Sequence, residues 1–131
     1  MHILVCLSLV LIAWGSLVEV SHEAISDLES SPTPALVRFY MPWSGHCKHL
    51  APTWKDLADA LDGDTLTVAQ INCWDWERET SVCEDMELRG YPTIMYLHNG
   101  TTETYEGPRT VEAMSSWTKK MVQGGEVIGD L

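Results

Sequence analysis

The sequence predicts an α/β fold in which helices flank both faces of a central mixed β-sheet. Apolar runs of strand length alternate with stretches of helical periodicity, in the order βαβαβαββα. Near the end of the chain, Asn99-Gly100 is a strong signal for a two-residue hairpin turn between the last two strands. The 131 residues contain no internal repeat and suffice for a single domain with its own core.

The start of the chain differs in composition from the rest. Residues 3–13 form an unbroken, mostly apolar run that is too short to span a bilayer and fits a secretory signal core. Ala13 and Gly15 supply the small residues needed for cleavage before Ser16. We therefore expect a signal peptide over 1–15, a domain over 16–123 and a flexible tail over 124–131. The alternative for 3–13 is a buried strand or helix.

The composition argues against two classes of partner. The chain has 19 acidic and 8 basic residues, which gives a formal net charge of −11 at pH 7. Because no basic cluster interrupts this acidity, we expect neither nucleic acid nor an anionic membrane as a partner. No segment after residue 15 is apolar enough to span a bilayer, so we also expect no membrane anchor.

The first half of the chain contains two predicted strands and two predicted helices. Residues 17–20 form a short strand, and a helical stretch ends near residue 28, before the proline-containing break at 30–34. Residues 35–40 are apolar apart from Arg38 and predict a central strand. Ser44 is a suitable N-cap for a helix that ends at 62–64. Its buried face consists of Leu50, Ala51, Trp54, Leu57, Ala58 and Leu61.

The second half begins with a predicted strand over 65–71, followed by a polar, tryptophan-containing segment in which we predict a helix over 77–87. A turn at 90–92 precedes a strand over 93–98 and its hairpin partner over 102–105. The last helix is predicted over 111–122, because Met114, Trp117 and Met121 share one face.

The chemistry centres on a thiol near the start of the long helix. A dithiol oxidoreductase needs two cysteines at Cys-x-x-Cys spacing, where the helix N-terminus stabilises the attacking thiolate and the second thiol resolves the mixed disulfide. Here the attacking position is Ser44 and the second is Cys47. A serine hydroxyl does not form disulfides, so the two-thiol cycle cannot run. Cys47 is then either an inert buried thiol or a slow monothiol that captures clients.

The stretch Trp43-Ser44-Gly45-His46-Cys47-Lys48 resembles the active site of the protein disulfide isomerase family of the thioredoxin superfamily, with Ser44 in place of the first cysteine. The resemblance implies a thioredoxin fold, a role in protein folding and disulfide exchange, and client contacts through Trp43, Gly45 and His46. It also accounts for His46 beside Cys47 without a metal, so we expect no metal site and no cofactor.

Two later segments carry the same resemblance. Gly90-Tyr91-Pro92-Thr93 is similar to the family's substrate-binding turn, which implies a cis Tyr91–Pro92 bond. The segment Tyr105-Glu106-Gly107-Pro108-Arg109-Thr110 resembles the one whose arginine approaches the active-site cysteines, which assigns that role to Arg109. A solvated residue at a helix start is the alternative for Arg109.

Two positions depart from the family pattern. Where the family has a buried glutamate in the strand before the active site, this chain has Arg38, and Gln70 replaces the family's lysine on the facing strand. The glutamate and the lysine act in proton transfer to and from the second cysteine. Together with Ser44, these departures indicate a site that no longer carries out redox chemistry. A buried Arg38 must still find a partner or reach solvent.

Three cysteines remain after the signal peptide, so at least one is unpaired within the monomer. The resemblance implies a structural disulfide between Cys73 and Cys83; a second redox centre and a metal site are the alternatives.

Asn99-Gly100-Thr101 is an N-glycosylation sequon as well as a turn. Trp74 and Trp76 either form an exposed patch with Trp43 and Tyr91 that suits extended peptides, or pack over the Cys73–Cys83 loop.

These observations predict a protein disulfide isomerase-like domain of the endoplasmic reticulum lumen, or a secreted one, that assists protein folding. It lacks full dithiol activity and acts on unfolded or cysteine-containing clients, by binding them or by one-thiol capture through Cys47. The alternatives are a weak exchange or isomerase enzyme that uses Cys47 alone, and a secreted, redox-silent interaction domain.

Overall fold

The structure, a computed structural model, describes residues 16–77, 80, 81 and 83–130. The expected signal peptide over 1–15 lies outside these residues. The strands are β1 (Leu17–Glu19), β2 (Ala35–Tyr40), β3 (Thr67–Asn72), β4 (Trp74–Asp75), β5 (Thr80–Ser81), β6 (Thr93–His98) and β7 (Thr101–Thr104). The α-helices are α1 (Ile25–Ser30), α2 (Gly45–Ala60) and α3 (Val111–Asp130), and short 3₁₀ turns occupy His22–Ala24 and Glu84–Met86.

The central sheet has five strands in the order β1-β3-β2-β6-β7. The β1–β3 and β3–β2 pairs are parallel, whereas β2–β6 and β6–β7 are antiparallel. The prediction of a mixed sheet is therefore confirmed. In β2, which lies in the middle, every residue except Tyr40 is buried, as expected for a strand covered on both faces.

Separate apolar clusters cover the two faces of the sheet, which confirms the predicted layering. One cluster joins α2 and α3 to the sheet through residues that include Leu36, Trp54 and Met114. The other lies under α1 and the segment that follows β3, and it includes Phe39, Ile71 and Cys73. Successive residues of β2 point to opposite faces of the sheet, so Leu36 packs in the first cluster and Val37 in the second.

The predicted helix over 77–87 is wrong. The segment instead forms the two-stranded ribbon β4–β5 and the 3₁₀ turn Glu84–Met86. A disulfide joins Cys73 and Cys83 with their Cα atoms 5.2 Å apart, so the chain must double back between them. A helix rises about 1.5 Å per residue and would have carried Cys83 away from Cys73. The polar composition favoured a helix locally, but the disulfide determines the path.

The last helix is longer than predicted. It continues to Asp130 rather than ending near residue 122. Gly124 and Gly125 suggested an end to the helix. Each glycine lowers helix stability by only about 1 kcal/mol relative to alanine, and no proline follows to force the chain out of the helix.

Candidate functional site

Ser44 is the N-cap of α2. Its backbone is extended (φ −73°, ψ 126°), and its Oγ accepts a hydrogen bond from the Cys47 amide at 3.2 Å. This bond satisfies one of the free amides that every helix N-terminus leaves. The hydroxyl thus occupies the place where the helix amides would stabilise an attacking thiolate.

Cys47 lies in the first turn of α2 and is the free cysteine of the described residues. Its side chain is only 1% exposed, because it faces the sheet below the helix. The neighbouring side chains of His46, Lys48 and His49 are exposed. The structure therefore places the site's thiol out of solvent and its imidazoles in solvent.

Arg38 lies in β2, next to Cys47, and is 4% exposed. Its Nη1 donates to the Cys47 carbonyl at 3.2 Å. Its Nε and Nη2 both donate to Gln70 Oε1, at 3.2 and 2.6 Å. The guanidinium carbon also lies 4.3 Å from the ring centroid of Tyr40, in cation–π geometry. The buried arginine has thus found its partners.

A carboxylate completes this network from the neighbouring strand. Glu19 Oε1 accepts from Gln70 Nε2 at 2.8 Å, and Glu19 Oε2 accepts from the Tyr40 hydroxyl at 2.9 Å. Sequence analysis missed Glu19 and Tyr40. The pairing of the strands brings Glu19 to the site, because Glu19 of β1 lies opposite Gln70 of β3, which in turn lies opposite Arg38 of β2. A correct prediction of this strand register would have identified Glu19. We call Glu19, Arg38, Tyr40 and Gln70 the arginine network.

The network shifts two pKa values. Burial lowers the pKa of Arg38, and the surrounding Tyr40, Cys47 and Glu19 act against that shift. Burial raises the pKa of Tyr40 to about 12, and the hydrogen bond to Glu19 adds to the rise because an ionised tyrosine would face a carboxylate.

The Tyr40 shift predicts a loss of stability at high pH. Since the folded-state pKa is about 12 and an unfolded tyrosine titrates near 10, the stabilisation is complete below about pH 10. It is then lost as the pH rises through about 12. Tyr40→Phe should flatten this dependence of the unfolding free energy, measured by urea denaturation between about pH 9 and about pH 12. Tyr105, whose pKa burial also raises, should keep part of the slope. Equal slopes in parent and variant would contradict the prediction.

A cavity of about 210 Å³ opens beside Cys47 on the side of the arginine network. Besides Cys47 it is lined by Arg38, Tyr40, Met41, Pro42, Lys48 and Ala51. Two of these residues are cationic. The cavity is the space in which a small reactant would approach the thiol.

The Tyr91–Pro92 peptide bond is cis. Pro92 is buried and borders a groove of about 520 Å³ that also includes Tyr91, Thr93, Glu106 and Arg109. Arg109 is exposed, and the structure places it in this groove. Gly107 is required just before it, because a Cβ at that position would lie 2.6 Å from the Tyr105 hydroxyl.

Trp43, Trp74 and Trp76 form what we call the tryptophan cluster. Their rings pack edge to face, with centroids 4.5 Å apart for Trp43–Trp74, 6.0 Å for Trp43–Trp76 and 5.8 Å for Trp74–Trp76. Trp43 is 50% exposed and Trp76 is 66% exposed. The cluster joins the residue before Ser44 to the β4 ribbon, whereas Tyr91 lies in the separate groove beside Pro92.

The Cys73–Cys83 disulfide is buried in the core under α1, with both cysteines at most 2% exposed. Replacing both cysteines by serine should lower the free energy of unfolding by about 2–3 kcal/mol, because the loop between them is short. Urea denaturation measures the loss. Reductant should lower the unfolding free energy of the parent to that of the variant and leave the unfolding free energy of the variant unchanged. Equal stability of the parent and the variant without reductant would contradict the expectation.

Three further observations concern the described residues. Asn99 is exposed at the β6–β7 turn, with φ 52°, and is followed by Gly100 with φ 84°. In the described part of the chain, no helix is long and apolar enough to cross a membrane. Within the same residues, no group of three or more His, Cys, Asp or Glu side chains is placed to hold a metal ion.

Comparison with known proteins gives a consistent result. A family model described as Thioredoxin matches residues 17–120. The chain is 34% identical over 110 residues to a Thioredoxin domain-containing protein 5 homolog of Drosophila melanogaster, covering 82% of this chain and 26% of that protein. It is 33% identical over 107 residues to Protein disulfide-isomerase A2 of Mus musculus, covering 78% and 20%. The chain thus spans a minor part of the length of either relative.

Solved structures resemble the chain as well. The crystal structure of the J-Trx1 fragment of ERdj5 matches with a TM-score of 0.73 at 26% sequence identity. The match covers 82% of this chain and 50% of that one.

Proposed function

Because this chain belongs to the thioredoxin family, we propose that it binds unfolded or cysteine-containing client proteins and assists their folding without a dithiol redox cycle. The observation that carries the proposal is Ser44 at the N-cap of α2, with its Oγ bonded to the Cys47 amide. An attacking thiolate at this position would start disulfide exchange, and a resolving thiol would complete it. With a hydroxyl here, the exchange has no first nucleophile.

The burial of Cys47 favours non-covalent binding over capture by a single thiol. A client disulfide must reach the sulfur in line, and a side chain that is 1% exposed does not allow this without movement of the helix. The client-binding surface is then the groove beside cis Pro92 together with the exposed Trp43, Gly45 and His46. These two surfaces offer both polar and aromatic contacts to an extended polypeptide.

A second candidate is weak exchange or one-thiol capture through Cys47. The cavity beside Cys47 favours it, because Arg38 and Lys48 line this space and would stabilise a thiolate that formed there. In this case Cys47 would attack a client disulfide, form a mixed disulfide and release one client thiolate. Resolution would need a second thiol from the client or from a small thiol.

The proposed location is the lumen of the endoplasmic reticulum, with secretion as the alternative. A buried structural disulfide is typical of an oxidising compartment. Asn99 at an exposed turn fits a glycan acceptor in such a compartment. The apolar run at 3–13 supplies the signal.

Two measurements test the proposal. In the first, protein from secretory cells is alkylated without reduction and mapped by mass spectrometry. We expect Cys73 joined to Cys83, Cys47 free but slow to react, and a glycan on Asn99. Mixed disulfides of Cys47 with other proteins would instead support the second candidate, and exchange of Cys73 or Cys83 would contradict a structural disulfide.

In the second measurement, the purified domain is added to a denatured, cysteine-free client and aggregation is followed by light scattering. We expect suppression of aggregation by the parent and equal suppression by Cys47→Ala. No suppression by either protein would overturn non-covalent client binding.

A further inference from the structure

We propose that the outer edge of β7 binds an extended, uncharged segment of a client polypeptide as an added strand of the five-stranded sheet. This inference rests on the proposed function and names the part of the client that is recognised, which is its main chain. It assigns a role to the edge strand Thr101–Thr104, to which the thiol chemistry gives none.

β7 lies at one edge of the sheet and pairs with β6 on its inner side. Its four residues are all exposed. A two-residue turn joins the strands and makes His98 and Thr101 a pair, and every second pair of such an antiparallel ladder exchanges hydrogen bonds. Just past β7, the Tyr105 amide donates to the Ile94 carbonyl at 2.8 Å, which fixes the phase of this alternation. The odd-numbered residues of β7 therefore bond to β6.

The main-chain groups of Thr102 and Thr104 point the other way, out of the sheet. Within the described residues, no strand lies on that side of β7, and no loop or side chain is bonded to these main-chain groups. Amides and carbonyls at every second residue of an exposed edge match the hydrogen-bonding groups of an extended chain. The outer edge of β7 can therefore accept a further strand.

This edge leads into the groove beside Pro92. Thr104 ends β7 and lines that groove, as do Tyr105 and Glu106, which follow it. An extended segment that pairs with Thr102 and Thr104 would thus continue into the groove proposed above for clients. Main-chain bonds hold such a segment with little regard to its sequence, which suits a protein that binds unfolded chains.

A second copy of this chain fits the edge less well than a client does. Two antiparallel copies of β7 that use both outward pairs must set Thr102 opposite Thr104, which brings the two Glu103 side chains opposite each other. Each chain also carries a net charge of −11. Four residues, moreover, bury far less than the roughly 1,000 Å² expected of a stable interface. An uncharged client segment avoids this repulsion and gains further contacts in the groove.

Charge and strand geometry also select the kind of segment. Glu103 is exposed near the centre of β7 and would lie beside the middle of an added strand, so acidic residues are repelled there. β-branched residues fit well, because they favour an extended backbone and pack beside the exposed threonines of β7. The preferred client segment is therefore extended, uncharged and rich in valine or threonine.

The first test uses two labelled, cysteine-free peptides in which valine alternates with threonine. Their sequences are identical, but one is N-methylated at every amide of its central part, which removes main-chain donors and keeps the side chains. Fluorescence anisotropy measures their affinities for the protein. We expect the methylated peptide to bind at least about tenfold more weakly, because it loses two or more hydrogen bonds. Equal affinities would overturn the inference.

A proline substitution tests the protein's side of the same bonds. Thr102→Pro removes one outward amide and spares the ladder to β6, whose bonds come from the neighbouring residues. We expect the unmethylated peptide to bind about three- to tenfold more weakly, as for the loss of one hydrogen bond. The matched control, Thr102→Ala, keeps the amide and should bind like the parent. Equal affinities of the two variants, with circular dichroism showing both folded, would contradict the inference.

Amide hydrogen exchange of the parent, followed by NMR, locates the bound segment even if Thr102→Pro does not fold. We expect the amides of Thr102 and Thr104 to exchange quickly in the free protein and slowly with the unmethylated peptide, whereas the Glu103 amide is protected in both states. Absence of added protection would overturn the inference. Protection that appears without peptide and grows with protein concentration would assign the edge to a second copy, and would overturn it as well.

The aggregation measurement separates a failure of this inference from a failure of the proposed function. If the parent suppresses aggregation but no peptide binds at β7, the edge is not the client site and client binding stands. If the parent neither suppresses aggregation nor binds the peptide, both proposals fall.

Discussion

Replacing Ser44 by cysteine should raise the thiol–disulfide oxidoreductase activity of the domain well above that of the parent. The new sulfur would stand at the N-cap of α2, where Ser44 Oγ now accepts the Cys47 amide at 3.2 Å. The helix N-terminus would stabilise its thiolate, and Cys47, in the first turn of the same helix, would be the resolving thiol. We expect reduction of a disulfide-containing substrate by dithiothreitol to rise at least about tenfold above the parent rate, because only a dithiol completes the cycle.

Two variants control this experiment. Ser44→Ala removes the hydroxyl without adding a thiol and should stay inactive. Ser44→Cys combined with Cys47→Ala should form mixed disulfides with substrate that do not resolve, visible as adducts on non-reducing gels. If Ser44→Cys is folded but forms neither a disulfide with Cys47 nor a mixed disulfide, the absence of a sulfur at position 44 is not what limits exchange. Arg38 beside Cys47 would then be the next residue to test.

The elements that sequence analysis predicted well are those fixed by local signals. The strands β2 and β6 have the predicted bounds, since each is an apolar run preceded by a proline-containing turn. Ser44 caps α2 as predicted because its side chain acts within four residues of its own position. Such features need no knowledge of the rest of the chain.

What the sequence did not reveal depends on contacts between distant segments. The resemblance implied the disulfide between Cys73 and Cys83, but not that the chain between them would form a ribbon in place of the helix predicted over 77–87. Glu19 reaches the site only because β1 lies beside β3 and places it opposite Gln70. The contacts among Trp43, Trp74 and Trp76 were one of two alternatives left open by the sequence, and the ribbon β4–β5 decides between them. Local propensity describes the elements, whereas the sheet order and the disulfide determine which side chains meet.

Removing Gln70 should destabilise the fold through Arg38. Gln70 Oε1 accepts from both Nε and Nη2 of Arg38, and the arginine is only 4% exposed. In Gln70→Leu the guanidinium keeps its bond to the Cys47 carbonyl but loses its side-chain acceptor while remaining nearly buried, which leaves Nε and Nη2 short of partners. We expect the unfolding free energy, measured by urea denaturation, to fall by about 2–3 kcal/mol, the upper range for hydrogen bonds to a charged group.

The same network predicts that a second substitution restores part of this loss. In Arg38→Met with Gln70→Leu, no buried charge remains and similar volumes fill the space, so the double variant should be more stable than Gln70→Leu alone. The loss of unfolding free energy in the double variant should differ by about 2 kcal/mol from the sum of the losses in Arg38→Met and Gln70→Leu, because the two side chains are in direct contact. If the losses of the two single variants simply add, the guanidinium of Arg38 does not depend on Gln70 for its hydrogen bonds. A coupled result would show that Arg38 and Gln70 stabilise the fold as a pair.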